Sequence, residues 1–188
     1  YNVVGVVFAI VIALCLVAGY TLLGAGWLIM KTEGDLRQRA IGWARRSLWF
    51  TGIGIVAVSL ATPLVSPRIS EKWFALPNLF FLMPIPLLTG LLFMGCLRAL
   101  VKLGKGDSRR EWMPFVTTIG MFLLAFAGLA YSIFPYLVID RMTLWDAAAA
   151  PESLKIMLFG AAITLPAILA YSAYSYRVFW GKTSELNY

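Results

Sequence analysis

Five stretches of this chain are apolar for long enough to cross a bilayer. A helical crossing needs roughly 20 predominantly apolar residues, and residues 3–30, 47–65, 78–101, 113–139 and 154–180 each meet that length. The apolar residues in them come as continuous blocks, neither alternating nor confined to one stripe. That pattern suits helices whose whole circumference meets lipid or other helices. Charge is scarce to match: 13% of the 188 residues are charged and 61% are hydrophobic, where a soluble domain carries about 25% charge. So little charge would leave a soluble fold of this size without a covering surface. The expected fold is all-α, a polytopic membrane bundle of five helices forming a single transmembrane domain.

Prolines and glycines mark the joints. Pro84, Pro86, Pro135 and Pro166 fall within or at the ends of the last three runs. Membrane helices tolerate them because neighbours re-satisfy the freed carbonyls, and kinks are expected near Pro84–Pro86 and at Pro166. Gly34, Gly104 and Gly106 suit C′ positions after the first and third spans. Pro151 and Glu152 suit the first turn of the fifth, where a missing N–H costs nothing and a carboxylate meets the positive end of the helix dipole.

The charges set an orientation. Lys31, Arg37, Arg39, Arg45 and Arg46 follow span one; Arg98, Lys102, Lys105, Arg109 and Arg110 follow span three; Arg177 and Lys182 follow span five. The opposite loops carry Arg68, Lys72, Arg141 and Lys155. Lys and Arg concentrate on the cytoplasmic side, so the chain is expected to start outside and end in the cytoplasm of a bacterial-type inner membrane. The net charge of +7 follows from that asymmetry. No basic run rises above a short loop, and nucleic acid is not expected as a partner. Trp27, Trp49, Trp112, Tyr136 and Trp180 fall near span ends and read as interfacial anchors. Hydrophobic sequence begins at once after Tyr1 with no basic n-region, which is not a signal peptide and suggests an upstream part.

The chemistry available is narrow. There is no histidine, which removes the commonest protein ligand for haem and many transition metals. No Asp, Glu, Lys or Arg lies mid-span, where ionisable groups mark proton relays and ion pathways. Cys15 and Cys96 sit singly in apolar runs and read as buried thiols, with no spacing suited to a metal. Met83, Met94 and Met121 are deep enough to serve as axial ligands, but no paired ligand accompanies them, and packing is the simpler role. Most span hydroxyls are expected to bond a backbone carbonyl or a neighbouring helix. Tyr171 and Tyr174 share a face at i, i+3 and are candidates for quinone contact, against the plainer alternative of an aromatic belt running into Phe179 and Trp180. Asp146 is expected to cap a short interfacial helix through 147–150, with a functional carboxylate as the alternative. The charges of Lys31-Thr32-Glu33-Gly34 suit capping where a helix end meets water.

Three ordered motifs carry a resemblance. Gly24-Ala25-Gly26-Trp27-Leu28-Ile29-Met30-Lys31-Thr32-Glu33-Gly34-Asp35-Leu36, followed by an Arg-rich stretch, resembles a signature of subunit II of cytochrome bd-type quinol oxidases. So does Phe134-Pro135-Tyr136 with Thr143-Leu144-Trp145-Asp146-Ala147 downstream. So does Leu165-Pro166-Ala167-Ile168-Leu169-Ala170-Tyr171, then Tyr174-Ser175-Tyr176 and Phe179-Trp180-Gly181-Lys182. The resemblance implies an eight-span subunit of two four-helix bundles, of which this chain is similar to the last five spans. It implies a haem-free chain beside an oxidase subunit I that holds haem b and haem d and oxidises quinol, with O2 reduced to water. A structural quinone and a small single-span subunit are further implied partners. The acidic proton-uptake residues of such subunits belong to the half not present in this sequence, so none transfers to it.

Two other classes stay open from the residues. A transporter or channel component would move substrate without quinol or oxygen, although no span is broken around a charged site. An assembly scaffold would leave the mature oxidase, whereas a subunit would remain in it.

Overall fold

The computed structural model describes residues 3–65, 67–76, 78–138, 141–179 and 181–182. Trp180 and Ile139, both at predicted span ends, lie outside the described residues. About 81% of the described residues are helical, and five helices among them are long and apolar enough to cross a membrane. The fold is an all-α polytopic membrane bundle. It divides into two units, one over 1–132 and one over 133–182, each described by itself.

In the first unit α1 (Val3–Lys31) and α2 (Gly34–Val65) form a helical hairpin. The turn between them is short because Gly34 takes φ +62°, left-handed backbone that side-chained residues rarely adopt. Two short helices, α3 (Pro67–Phe74) and α4 (Asn78–Leu82), lead to α5 (Pro84–Gly104). Then α6 (Met113–Ile133) follows. At the end of α5 the Gly106 N–H donates to Leu103 O and the Asp107 N–H to Lys102 O, a Schellman motif with Gly106 at C′, φ +94°. Gly104 is the last helical residue instead.

The four long helices close a ring. Cys15 of α1 packs against Gly54 of α2, Phe93 of α5 against Gly52 of α2, Leu92 of α5 against Gly120 of α6, and Phe122 of α6 against Gly19 of α1. Each close approach uses a glycine, as membrane helices pack when apolar burial cannot drive them together. Gly26 adds an approach to backbone. A Cβ there would lie 3.1 Å from the Phe115 Cα, and backbone cannot swing aside as a side chain can. Leu22, Ile29, Ala40, Ile41, Ala44, Leu48, Cys96, Leu100, Leu103 and Met121 form the core. Most of it lies toward the end where the basic residues gather.

In the second unit, β1 (Tyr136–Val138) pairs antiparallel with β2 (Met142–Thr143), and α7 (Pro151–Val178) follows. Pro151 and Glu152 open α7 as expected, after Ala150 at the N-cap. None of the described residues of α7 is buried.

Four expectations need correction. The second helix begins at Gly34, thirteen residues before the predicted span at 47. Its Arg-rich start is helical because Ala40, Ile41, Ala44 and Leu48 fall on one face and enter the core. Trp49 therefore lies midway along α2, against Phe93 at 5.7 Å. The fourth helix stops at Ile133, short of 139, because proline disfavours helix in the residue before it. The Pro84–Pro86 stretch does not kink a long helix: it starts α5, and the predicted run from 78 is broken at Met83. Residues 147–150 form a turn and an irregular approach to α7, not a helix capped by Asp146. Pro166 lies inside α7, which runs on through it.

Candidate functional site

The first motif folds around the basic end of the four-helix unit. Trp27, one turn before the end of α1, stacks at a tilt on Phe115 of α6 with ring centroids 5.3 Å apart. Lys31, one turn further, lies 5.3 Å above the Trp27 ring, a cation–π contact. Thr32 is buried and donates from Oγ1 to Leu28 O at 2.7 Å, extending the helix by its own side chain. Glu33 and Gly34 are exposed, and Asp35 sits in the first turn of α2, where a carboxylate favours the positive dipole end. Gly24 is exposed and has open space around its Cα, so packing does not explain it.

The centre of this cluster is an ion pair that sequence reading missed. Arg37 Nη2 lies 3.0 Å from Glu111 Oε1, and each side chain is only 13% exposed. It ties the start of α2 to the connector between α5 and α6. The Arg37 Nε is buried with no hydrogen-bond acceptor, so the guanidinium depends on the carboxylate. In the sequence Arg37 reads as one of the loop charges that set orientation. The available signal is Glu111 itself, an acid directly after two arginines in a connector of net positive charge. Below it the Pro114 carbonyl accepts from Thr118 at 2.7 Å and Thr117 at 3.1 Å, which holds the first turn of α6 without exposing a hydroxyl to lipid.

At the other end of the same unit, α3 lies against the end of α6. Lys72 Nζ donates to Tyr131 O at 2.6 Å and sits 4.5 Å above the Tyr131 ring. Trp73 Nε1 donates to Ser132 Oγ at 2.9 Å, and Ile69 is buried beside them. A cation here meets the negative end of the α6 dipole. Burial pushes the Lys72 ammonium below its ordinary range, because desolvation penalises the charged form.

The second motif assembles in the hairpin of the second unit. Phe134 and Trp145 meet edge to face at 5.8 Å, and the Leu144 N–H donates to Pro135 O at 2.9 Å. Asp146 does not cap a helix. Its Oδ2 accepts from the Thr143 N–H at 3.1 Å and Oγ1 at 2.6 Å, while its own N–H donates to Thr143 Oγ1 at 3.2 Å. These donors hold the Asp146 carboxyl below the usual carboxylate range. The third motif lies on α7: Pro166 is within the helix, and Tyr171 and Tyr174 are exposed on it by 73% and 66%.

The structure thus brings together Trp27, Lys31, Thr32 and Gly34 in one unit, and Pro135, Trp145 and Asp146 in the other. As for ligands, Met121 is fully buried in the aliphatic core, and Met83 and Met94 are exposed. No group of three or more His, Cys, Asp and Glu is clustered among the described residues. Cys15 and Cys96 are free thiols, the first half-buried and the second wholly so.

A family model described as cytochrome bd terminal oxidase subunit II matches residues 3–179. Comparison with curated proteins finds no match.

Proposed function

The chain belongs to the cytochrome bd terminal oxidase subunit II family, and we propose on that premise that it is the haem-free subunit of a quinol:O2 oxidoreductase. Membership makes it part of an oxidase complex with a partner subunit. The match over residues 3–179 carries this reading, since it takes in the first two motifs, the third as far as Phe179, and all five spanning helices. In the proposed division of labour, subunit I holds haem b and haem d, oxidises quinol and reduces O2 to water. This chain braces it within the bilayer.

The donor set supports the haem-free part. A haem iron needs strong axial donors, most often His, and this sequence has none. The buried thioether of Met121 is enclosed by aliphatic side chains, a packing environment. A structural quinone suits the apolar helices, and Tyr171 with Tyr174 on α7 are the candidate contacts. A small single-span subunit is a further proposed partner. The concentration of Lys and Arg at one end of the spans supports a bacterial cytoplasmic membrane with that end, and the C-terminus, inside.

The test is expression of the full-length chain without subunit I. The purified chain should show no stoichiometric haem absorption, while the co-expressed complex should. Haem bound by the chain alone would overturn the assignment. Omitting this chain from the complex should abolish quinol-dependent oxygen consumption.

A further inference from the structure

The connectors at the two ends of the four-helix unit differ in kind. At the basic end, residues 105–110 are all exposed and carry Lys105, Asp107, Arg109 and Arg110, as a segment facing water should. At the opposite end, α3 and α4 join α2 to α5, and three of the exposed side chains in that segment are large and apolar. Leu64, at the end of α2, is 84% exposed; Phe74, Leu76 and Phe80 are 66%, 71% and 68% exposed. Phe74, Leu76 and Phe80 lie outside the spanning helices, so lipid contact along a span does not explain them. Single exposed apolar residues are ordinary, but a run of them marks an interaction surface.

The inner face of the same segment is fixed. Lys72 and Trp73 are fixed onto the end of α6 by the Lys72 bond to Tyr131 O and the Trp73 bond to Ser132, and Ile69, at i to their i+3 and i+4, is buried. The helix is therefore held where α6 ends, which is where a spanning helix leaves the hydrocarbon. Held at that depth, a short amphipathic helix has its outward apolar side chains level with the boundary between headgroups and acyl chains. Trp73 and Lys72 keep their polar ends satisfied there, as interfacial residues do.

We propose that α3 and α4 form a lipid-docking element, with Phe74, Leu76 and Phe80 seated in the interface of the leaflet opposite the basic end. The occupant is the bilayer surface itself, continuous with the lipid already around α2 and α5. The proposal requires only that the long helices span, and stands apart from the oxidase role.

Spin labels at Phe74→Cys and Leu76→Cys test it, with Ser108→Cys on the basic connector for comparison. The intact complex is placed in phosphatidylethanolamine–phosphatidylglycerol vesicles and read as a difference from the parent protein. Collision with lipid-soluble oxygen should exceed collision with a water-soluble nickel chelate severalfold at 74 and 76, and the order should reverse at 108. Chelate access at 74 and 76 equal to that at 108 would overturn the proposal, placing the segment in water. Shielding from both reagents would also overturn it, showing a protein partner on this face. Because a label could disturb the segment, the unaltered complex is also photolysed with a carbene-bearing phospholipid. Adducts on α3 or α4 support lipid docking, and their absence there beside adducts on α5 counts against it.

Discussion

At its basic end the four-helix unit is stabilised from within. The aliphatic core from Ile29 to Leu103 reaches almost to the turn, and the Arg37–Glu111 pair at 3.0 Å joins α2 to the far connector. At the opposite end α2 and α5 splay apolar side chains outward, and what order there is comes from α3 clasping α6 through Lys72 and Trp73. One end packs against itself; the other depends on what surrounds it. The difference teaches that a membrane unit of this size need not be equally self-sufficient along its length. Where water must be met, the protein supplies its own core and charge. Where lipid continues, it can leave surface uncovered, since lipid is as apolar as leucine.

Removing one member of the ion pair should break this contrast most severely. Glu111→Ala leaves Arg37 buried beside no anion, and Arg37→Ala does the converse. Loss of one partner from a buried pair costs about 3 kcal/mol or more. The double variant Arg37→Met, Glu111→Leu should recover most of that, because an apolar pair of similar bulk often replaces a buried ion pair without loss. Thermal melting of the detergent-solubilised complex reads both. If the single and double variants melted alike, the basic end would owe nothing to this pair.

Gly26→Leu probes the closed ring. The new side chain meets the Phe115 backbone, which α6 cannot move without leaving its other contacts, and overpacking of this kind costs about 1–3 kcal/mol. Gly24→Leu, two residues away in open space, should change the melting temperature far less. Equal effects would mean that the approach of α1 to α6 is not tight.

A smaller effect is expected at the opposite end. Trp73→Phe keeps the ring and loses the bond to Ser132, a change of about 1 kcal/mol. It should show as faster amide exchange in α3 more than as a lower global melting temperature. Exchange unchanged in α3 would mean that the clasp does not depend on the Trp73 bond.

The smallest effect belongs to the second unit. The Asp146 carboxyl is held below its ordinary range by the Thr143 donors, so its folded pKa lies beneath its unfolded one. The contribution is fully present above the ordinary carboxylate value of about 3.9 and is lost as pH falls through the lower, folded value. Trp145 fluorescence should report that loss in acid. Thr143→Val should move the transition up toward the ordinary range, and Asp146→Asn should remove it. A transition unmoved by Thr143→Val would separate the hairpin from this carboxylate.

Much of this architecture was legible in the residues, because apolar length is a direct measure of bilayer crossing. Gly34, Gly106 and Pro151 announced their turns because backbone geometry admits few other residues there. The start of α2 was not legible as helix, since five charged side chains between 35 and 46 outweighed the spacing of Ala40, Ile41, Ala44 and Leu48. The end of α6 was placed too late because Pro135 was allowed inside a span, when its effect was to end one. The motif residues were identified as a set, but what they do locally was not. Asp146 reads as a helix cap because an alanine run follows it, and its real partner is Thr143. The Arg37–Glu111 pair joins residues far apart in the chain, and nothing in either neighbourhood specifies the other.

The ring of helices also imposes an order on how the protein is made. The α1–α2 hairpin can form as soon as α2 has left the ribosome, because the contact between Cys15 and Gly54 is internal to it. The glycine seats on α1 for Phe115 and Phe122 stay vacant until α6 arrives, after α3, α4 and α5 have been synthesised. During that interval α1 holds a notched surface open in the bilayer, which insertion machinery must keep from mispairing.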